Sequence, residues 1–168
     1  VLMRMMKESD NLFAESMFYQ VAAAEGQRPA RASHARNAVK RMIQKVGLAP
    51  SSYKIADGSG LSLYNYVSAE LETRLVRFAW RNANIYEYLR PTLPVAAVDG
   101  TLKNRMAKTT AAGNVAAKTG TLTAISSLAG YCTAANGHEL AFAIINQGVL
   151  RNQDGRAFQD LVCRAMTE

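Results

Sequence analysis

The residues best suited to chemistry form one tetrapeptide late in the chain, Lys118-Thr119-Gly120-Thr121. The charge of Lys118 and the hydroxyls of Thr119 and Thr121 can bind a carboxylate through hydrogen bonds, of which the charged one is the stronger. Gly120 weakens a strand, but it leaves the strand backbone open to close approach by another molecule. The tetrapeptide therefore predicts a strand that binds an anionic group, although an exposed edge strand with a solvated lysine would have the same composition.

A second polar group, Ser9-Asp10-Asn11, stands at the expected start of a helix. Short polar side chains at such a position cap free backbone N–H groups, which by itself explains the tripeptide. Its position upstream of Lys-Thr-Gly changes the interpretation, because Ser-x-Asn and Lys-Thr-Gly are two of the three parts of the signature of penicillin-recognising serine enzymes. The third part is Ser-x-x-Lys, which holds the nucleophile.

The one Ser-x-x-Lys tetrapeptide in the chain runs from Ser51 to Lys54. A nucleophilic serine and its lysine must share one helical turn for the amine to reach the hydroxyl. These two residues follow Pro50 and lead into a β-like segment, in which residues three apart point to opposite faces. We interpret this match as a coincidence.

The spacing of apolar residues predicts helices first and a sheet afterwards. Helices are expected at 11–25, 29–46, 68–82, 84–89 and 102–106, and a short strand at 53–56. Strands are expected at 114–122, 127–133 and 139–146, with a hairpin turn at Asn136-Gly137. A closing helix at 151–166 is expected to pack back on the sheet through Phe158, Leu161, Val162 and Ala165. This order of elements is typical of an α+β domain.

The composition limits the size and class of the protein. With 168 residues, 49% of them apolar, the chain can bury the core of one domain but hardly of two. No apolar run approaches the roughly 20 residues of a membrane helix, so no membrane span is expected. Two cysteines are too few for a disulfide framework and lack metal-ligand spacing, so neither a metal nor a cofactor is expected.

The chain is basic, with 20 Lys and Arg residues against 13 Asp and Glu and a formal net charge of +7. Six of the cations fall between 28 and 45, on one predicted helix that would attract nucleic acid, anionic lipid or wall polymer. This stretch contains no Phe, Tyr or Trp on which bases could stack, so nucleic acid is not expected as a partner. A solvated helix face is the simplest interpretation, and a basic module that binds an anionic polymer is the alternative.

Four stretches of the chain together carry a specific resemblance. They are 7–15 (KESDNLFAE), 57–62 (DGSGLS), 93–102 (LPVAAVDGTL) and 117–122 (AKTGTL). In this order and spacing they resemble the C-terminal half of the D-alanyl-D-alanine carboxypeptidase/endopeptidase family, the class C low-molecular-mass penicillin-binding proteins of the penicillin-binding protein 4 (DacB) type. Residues 1–168 are then expected to be the C-terminal part of a transpeptidase-like domain, whose nucleophile lies in an N-terminal part that this sequence does not contain.

The resemblance implies a role for each matching residue. Ser9 would relay a proton to the leaving D-Ala amine, and Asn11 would hold the acyl side chain of the substrate. Lys118 would keep Ser9 poised and attract the terminal carboxylate of the substrate, which the hydroxyls of Thr119 and Thr121 would bind. Gly120 belongs to this substrate-binding strand, and the backbone N–H of Thr121 would form half of an oxyanion hole.

The resemblance also implies partners and a location. The expected partners are peptidoglycan stem peptides and, together with the N-terminal part, β-lactams, and the expected location is the periplasm or cell envelope. The fragment alone is expected to be inactive and to self-associate through core surface left exposed. A β-lactamase or an esterase of the same fold is the alternative, because shared motifs do not set the hydrolysis rate of an acyl-enzyme.

Overall fold

Six α-helices and a three-stranded sheet make up the described part of the chain, residues 1–26 and 28–168 of a computed structural model. The helices are α1 (Leu2–Lys7), α2 (Asn11–Ala24), α3 (Ala32–Lys45), α4 (Ala69–Trp80), α5 (Ala83–Leu89) and α6 (Asn152–Thr167). The strands are β1 (Ala116–Leu122), β2 (Ile125–Thr133) and β3 (Glu139–Gln147). Short 3₁₀ turns lie at Pro50–Ser52, Arg90–Thr92 and Gly100–Leu102. The α+β prediction is confirmed.

The sheet has the order β1-β2-β3, and both pairs of strands are antiparallel. The predicted hairpin between β2 and β3 is present, and Gly137 adopts a φ of 83° in its turn, a conformation that favours glycine. In β1, Lys118 is paired with Ala129 and Gly120 with Ser127 of the central strand. This pairing holds the Lys-Thr-Gly segment on a strand that is fixed from one side by its neighbour.

Helices cover both faces of the sheet. Alternate residues of β2 point to opposite faces, and on each face they are buried in a core cluster. Leu128 and Cys132 belong to one core cluster that also contains Cys163 of α6. Tyr131 belongs to a second cluster on the other face, where its hydroxyl donates a 2.6 Å hydrogen bond to the carbonyl of Val76 in α4. The sheet is therefore held between α6 on one side and α4 on the other.

The predicted packing stripe of α6 is wrong. Phe158 and Leu161 are 52% and 64% exposed, and the buried side of the helix consists of Gly155, Gln159, Cys163 and Thr167. A Cβ at Gly155 would lie only 3.2 Å from Cβ of Ser126, so the missing side chain lets the helix approach the sheet closely. Close approach leaves room for small and polar residues, whereas large apolar ones are kept on the outer face.

Three elements differ from the sequence prediction. The helix expected from Pro29 begins at Ala32, although it ends as expected just before Gly47, whose φ is 79°. The strand expected at 53–56 is absent from the described residues, where only Lys54 forms an isolated bridge with Tyr66. Instead of the helix expected at 102–106, Leu102 ends the 3₁₀ turn at Gly100–Leu102 and residues 103–106 lie in turns and bends.

Across residues 1–26 and 28–168, none of the helices is both long enough and apolar enough to cross a membrane.

Candidate active site

Ser9 lies in the short loop between α1 and α2, and its backbone is in the left-handed region with a φ of 56°. This conformation costs a residue other than glycine about 1–2 kcal/mol, so the surrounding structure must hold it in place. Asp10 caps α2 as expected, because its Oδ1 accepts hydrogen bonds from the backbone N–H groups of Leu12 (3.1 Å) and Phe13 (3.2 Å). Asn11 is the first residue of α2 and is exposed. The cap fixes the start of the helix and thereby the loop that presents Ser9.

Lys118 reaches Ser9 from the middle of β1. Its Nζ donates a 2.7 Å hydrogen bond to Oγ of Ser9 and a 2.6 Å hydrogen bond to the carbonyl oxygen of Thr119. Burial lowers the pKa of Lys118 to about 8, because a low-dielectric surrounding disfavours the charged form. The ammonium is thus still charged at neutral pH, but it lies close to the point at which it loses its proton.

The hydrogen bond from Lys118 determines what the hydroxyl of Ser9 can do. Because Oγ of Ser9 accepts the bond from the ammonium, the hydroxyl hydrogen of Ser9 is left to donate to a third group. The two residues therefore form a relay in which a proton given up by Ser9 can be replaced from Lys118.

A cleft of about 190 Å³ opens along the same strand, lined by Thr101, Arg105, Thr119, Gly120, Thr121, Ser126, Ser127 and Arg156. The hydroxyl of Thr119 donates a 2.9 Å hydrogen bond to that of Thr101, which leaves the hydrogen of Thr101 available to a ligand. Thr121 is exposed at the end of the strand. Three of the lining residues are threonines, so hydroxyl donors for an anion are already arranged on one surface.

The charge of this cleft is positive. Arg105 donates hydrogen bonds of 2.6 and 2.9 Å to Oδ1 of Asp160, so its charge is largely compensated. Arg156 is exposed at the first turns of α6, and none of the eight lining residues is acidic. The lining charge and the nearby ammonium of Lys118 suit an anionic ligand.

Gly120 has a reason in the fold for lacking a side chain. A Cβ at this position would lie 2.3 Å from Oγ of Ser127 on the paired strand. The hydroxyl of Ser127 therefore occupies the space above Gly120 and lines the cleft.

The loop of Ser9 and the strand of Thr119 are connected by residues that were not among the predicted site residues. Nζ of Lys7 donates hydrogen bonds of 2.6 Å to Oδ2 of Asp99 and to the carbonyl oxygen of Leu93. Burial opposes ionisation of Asp99, but the hydrogen bonds from Lys7 and from the backbone of Val95 outweigh it and lower its pKa. The segment that ends in Thr101 is thus tied to the loop of Ser9 at one end and to Thr119 at the other.

Gly100 allows this connection to be close. Its φ is 54°, and a Cβ there would lie 2.7 Å from the carbonyl oxygen of Lys7. Lys7, Asp99, Gly100 and Thr101 all lie within two of the stretches that carry the family resemblance, which is the signal that could have shown their importance.

Gly100→Ala is expected to destabilise the chain by about 3 kcal/mol, because it adds left-handed strain to a clash with the backbone of Lys7. Gly113→Ala is the matched control, since Gly113 also has a positive φ, 71°, but open space around its Cβ. We expect about 1 kcal/mol for the control. Denaturant unfolding of both variants measures the difference, and equal losses would show that the contact with Lys7 is unimportant.

An antiparallel sheet between helices, with a Lys-Thr-Gly strand facing a Ser-x-Asn loop, corresponds to the transpeptidase-like class of penicillin-recognising serine enzymes. A model of the D-Ala-D-Ala carboxypeptidase 3 (S13) family matches residues 1–168. The chain therefore belongs to this family.

Two relatives show how much of such a protein the chain represents. It is 38% identical over 144 residues to the D-alanyl-D-alanine carboxypeptidase DacB of Haemophilus influenzae, covering 84% of the chain and 30% of that protein. It is 41% identical over 152 residues to the carboxypeptidase DacB of Mycolicibacterium smegmatis, covering 86% of the chain and 32% of the relative. The chain thus spans about a third of the curated relatives that it matches.

Solved structures agree with this assignment. Penicillin-binding protein 4 (DacB) of H. influenzae, in complex with a β-lactam, superposes with a TM-score of 0.87 at 33% identity, covering 99% of this chain and 41% of that one. The extended-spectrum β-lactamase TLA-3 superposes with a TM-score of 0.72 at 20% identity, covering 97% of this chain and 60% of the other, a likeness that shows a shared fold alone.

Proposed function

We propose that the chain is the substrate-binding and proton-relay part of a serine-type D-Ala-D-Ala carboxypeptidase/endopeptidase that acts on peptidoglycan through an acyl-enzyme. The observation that carries this proposal is the 2.7 Å hydrogen bond from Lys118 to Ser9, between the two family motifs that the chain contains. The motifs are far apart in sequence, and helix capping or an exposed edge strand would not require them to meet.

The contacts and positions of the residues support the proposed roles. Ser9, which accepts a hydrogen bond from Lys118, passes its hydroxyl proton to the amine of the leaving D-Ala. Lys118 replaces that proton and attracts the terminal carboxylate, which the hydroxyls of Thr119 and Thr121 bind beside Gly120. Asn11, exposed at the start of α2, binds the acyl part of the substrate through its side-chain amide.

The nucleophile comes from a Ser-x-x-Lys segment outside these 168 residues. Its hydroxyl attacks the carbonyl carbon of the D-Ala-D-Ala bond, its lysine takes the hydroxyl proton, and the C–N bond breaks to give an acyl-enzyme and free D-Ala. Water then hydrolyses the ester. Ser51 is not this nucleophile, because it lies in the 3₁₀ turn at Pro50–Ser52 while Lys54 is in the extended bridge that follows.

A fluorescent penicillin tests this proposal. We expect the full-length protein to be labelled covalently and the 168-residue chain alone not to be, with labelling seen as a fluorescent band after denaturing electrophoresis. Labelling of the isolated chain that is lost in Ser51→Ala would show that our interpretation of Ser51 is wrong. Failure of the full-length protein to be labelled would contradict the proposal.

The alternative within this fold is a β-lactamase or an esterase, because a fold shared with TLA-3 does not by itself set the reaction. The two functions differ in how fast the acyl-enzyme is hydrolysed. Turnover of a D-Ala-D-Ala peptide with long-lived penicillin capture supports the carboxypeptidase, whereas rapid turnover of penicillin supports the alternative.

We further propose that the protein acts in the periplasm or cell envelope, where peptidoglycan lies, and that the chain alone self-associates. Large apolar side chains are exposed, among them Leu12 at 75%, Leu63 at 86% and Leu150 at 97%. Exposed apolar surface of this kind favours association between copies. Sedimentation velocity of the chain alone would show the oligomer.

A further inference from the structure

A groove of about 950 Å³ lies between α3, residues 50–56 and residues 64–66. It shares no lining residue with the cleft beside the Lys-Thr-Gly strand. The backbones of Lys54 and Tyr66 exchange hydrogen bonds of 2.9 and 2.7 Å, and this bridge forms one wall. The proposed reaction uses none of these residues.

The groove is lined by cations and by no acid. Arg36 and Lys40 come from α3, and Lys54 comes from the opposite wall. In the described ranges 1–26 and 28–168, none of these three side chains forms an ion pair with a carboxylate. The nearby carboxylate of Asp57 already accepts hydrogen bonds from the backbone N–H groups of Gly60 and Ser62. The charge of the groove is therefore available to a ligand.

Aromatic side chains lie beside these cations. Tyr64 and Tyr66 line the groove and are 75% and 68% exposed. The stretch from 28 to 45 contains no aromatic residue, but the fold supplies these two and the half-buried Tyr53 from farther along the chain. Ser51 and Ser52 add hydroxyls to the lining, which also includes Pro50, Ile55 and Ala56.

We propose that this groove binds a carboxylate-bearing polysaccharide. Sugar rings present C–H faces that pack on the exposed rings of Tyr64 and Tyr66, and their hydroxyl groups bond to the serine and tyrosine hydroxyls. The carboxylates of the sugar chain pair with Arg36, Lys40 and Lys54. This combination of ring faces, hydroxyls and only three separated cations suits a sparsely charged sugar chain better than a nucleic acid, whose every nucleotide carries a charge.

The test measures binding of a short, partly methyl-esterified polygalacturonate oligomer, which carries fewer than one carboxylate per sugar, to the full-length protein by isothermal titration calorimetry. The fully methyl-esterified oligomer is the neutral comparison, and single-stranded oligothymidylate is the nucleic-acid comparison. We expect binding of polygalacturonate alone, weakened by salt. In the double variant Lys40→Gln/Lys54→Gln, Kd should rise about tenfold or more, which corresponds to the loss of two partly exposed charge contacts.

Two further variants distinguish specific binding in the groove from nonspecific attraction to a basic protein. Tyr64→Ala/Tyr66→Ala should also weaken binding about tenfold, because each ring contributes apolar contact. Lys103→Gln/Lys108→Gln removes the same charge from two exposed lysines elsewhere and should leave Kd unchanged. The proposal would be overturned if the control weakened binding equally or if the tyrosine variant had no effect. Preference for oligothymidylate, or no binding at all, would also overturn it. None of these outcomes depends on catalysis, so the proposed enzymatic function is tested separately.

Discussion

Lys118→Met is expected to reduce turnover strongly in the full-length protein and to make the isolated chain more stable at neutral pH. Turnover should fall about a hundredfold or more, because the variant loses the ammonium that bonds to Ser9 and that, in the proposed reaction, attracts the substrate carboxylate. Stability should rise, because the wild-type fold holds a mostly buried charge whose pKa is lowered to about 8 by burial. Methionine fills a similar volume without this cost.

The pH dependence of the stability difference follows from the same lowered pKa. Below pH 8 the lysine is protonated in both the folded and unfolded chains, so the full cost of burying the charge is present. Between about pH 8 and the ordinary value of 10.5, the folded chain has lost this proton while the unfolded chain still holds it. The wild type therefore gains stability relative to Lys118→Met as pH rises through this window, and the advantage of the variant shrinks.

Urea unfolding of the two chains at pH 7, 9 and 10.5 measures this difference. Lys103→Met is the control, because Lys103 is exposed, and it should change neither turnover nor the pH dependence. A variant Lys118→Met that is less stable than the wild type at pH 7 would show that the hydrogen bonds of the ammonium outweigh its burial.

Ser9→Ala and Ser9→Gly are both expected to reduce turnover about a hundredfold or more, because each removes the hydroxyl that we propose passes a proton to the leaving group. In an ordinary helix or strand alanine is more stable than glycine, but at Ser9 we expect the reverse. Glycine adopts a φ of 56° without steric cost, so Ser9→Gly should be about 1 kcal/mol more stable than Ser9→Ala.

Turnover is measured with the full-length protein, and the free energy of unfolding is measured by denaturant titration of the chain. Because both variants lack the hydroxyl, the loss of its bond to Lys118 cancels in the comparison of their stabilities. Equal stabilities would mean that the left-handed backbone at Ser9 is not strained. Near-normal turnover of either variant would exclude the proposed proton relay.

The helices and strands could be predicted from sequence where their patterns were local. Ser68 caps α4 as expected, with Oγ accepting a 3.1 Å hydrogen bond from the backbone N–H of Leu71. The turn at Asn136-Gly137 and the three strands lie within a few residues of their predicted positions. These features depend on the alternation of apolar and polar residues, on helix caps and on turn glycines. All of these can be recognised within a short window of sequence.

The packing of α6 could not be predicted in this way, because apolar spacing favours Phe158 and Leu161 over the polar residue that is buried. Gln159 is fully buried, since its Nε2 donates hydrogen bonds to Oγ of Ser126 (3.1 Å) and to Oδ1 of Asn146 (3.0 Å) on two strands. A polar side chain is buried only if such partners exist, and the partners are known only from the fold. The groove could not be predicted for the same reason. Its tyrosines lie opposite α3, and the segment that carries them is held there by the bridge between Lys54 and Tyr66.

For the candidate site, sequence motifs indicated Ser9 and Lys118, and the fold brings them into contact. The motifs did not show the contacts that hold this geometry, such as Thr101 with Thr119 and Lys7 with Asp99. Those contacts join segments that are distant in sequence, and no local pattern distinguishes a partly buried ion pair from two solvated charges.

The bond between Ser9 and Lys118 also constrains when the site can form during synthesis. The two residues are separated by 109 positions, so a nascent chain displays the serine loop long before the lysine strand has left the ribosome. Contacts of such high sequence separation form late, because a long loop must close before they contribute energy. The early helices can therefore fold before Ser9 and Lys118 meet, and the proposed site is complete only once the sheet has formed.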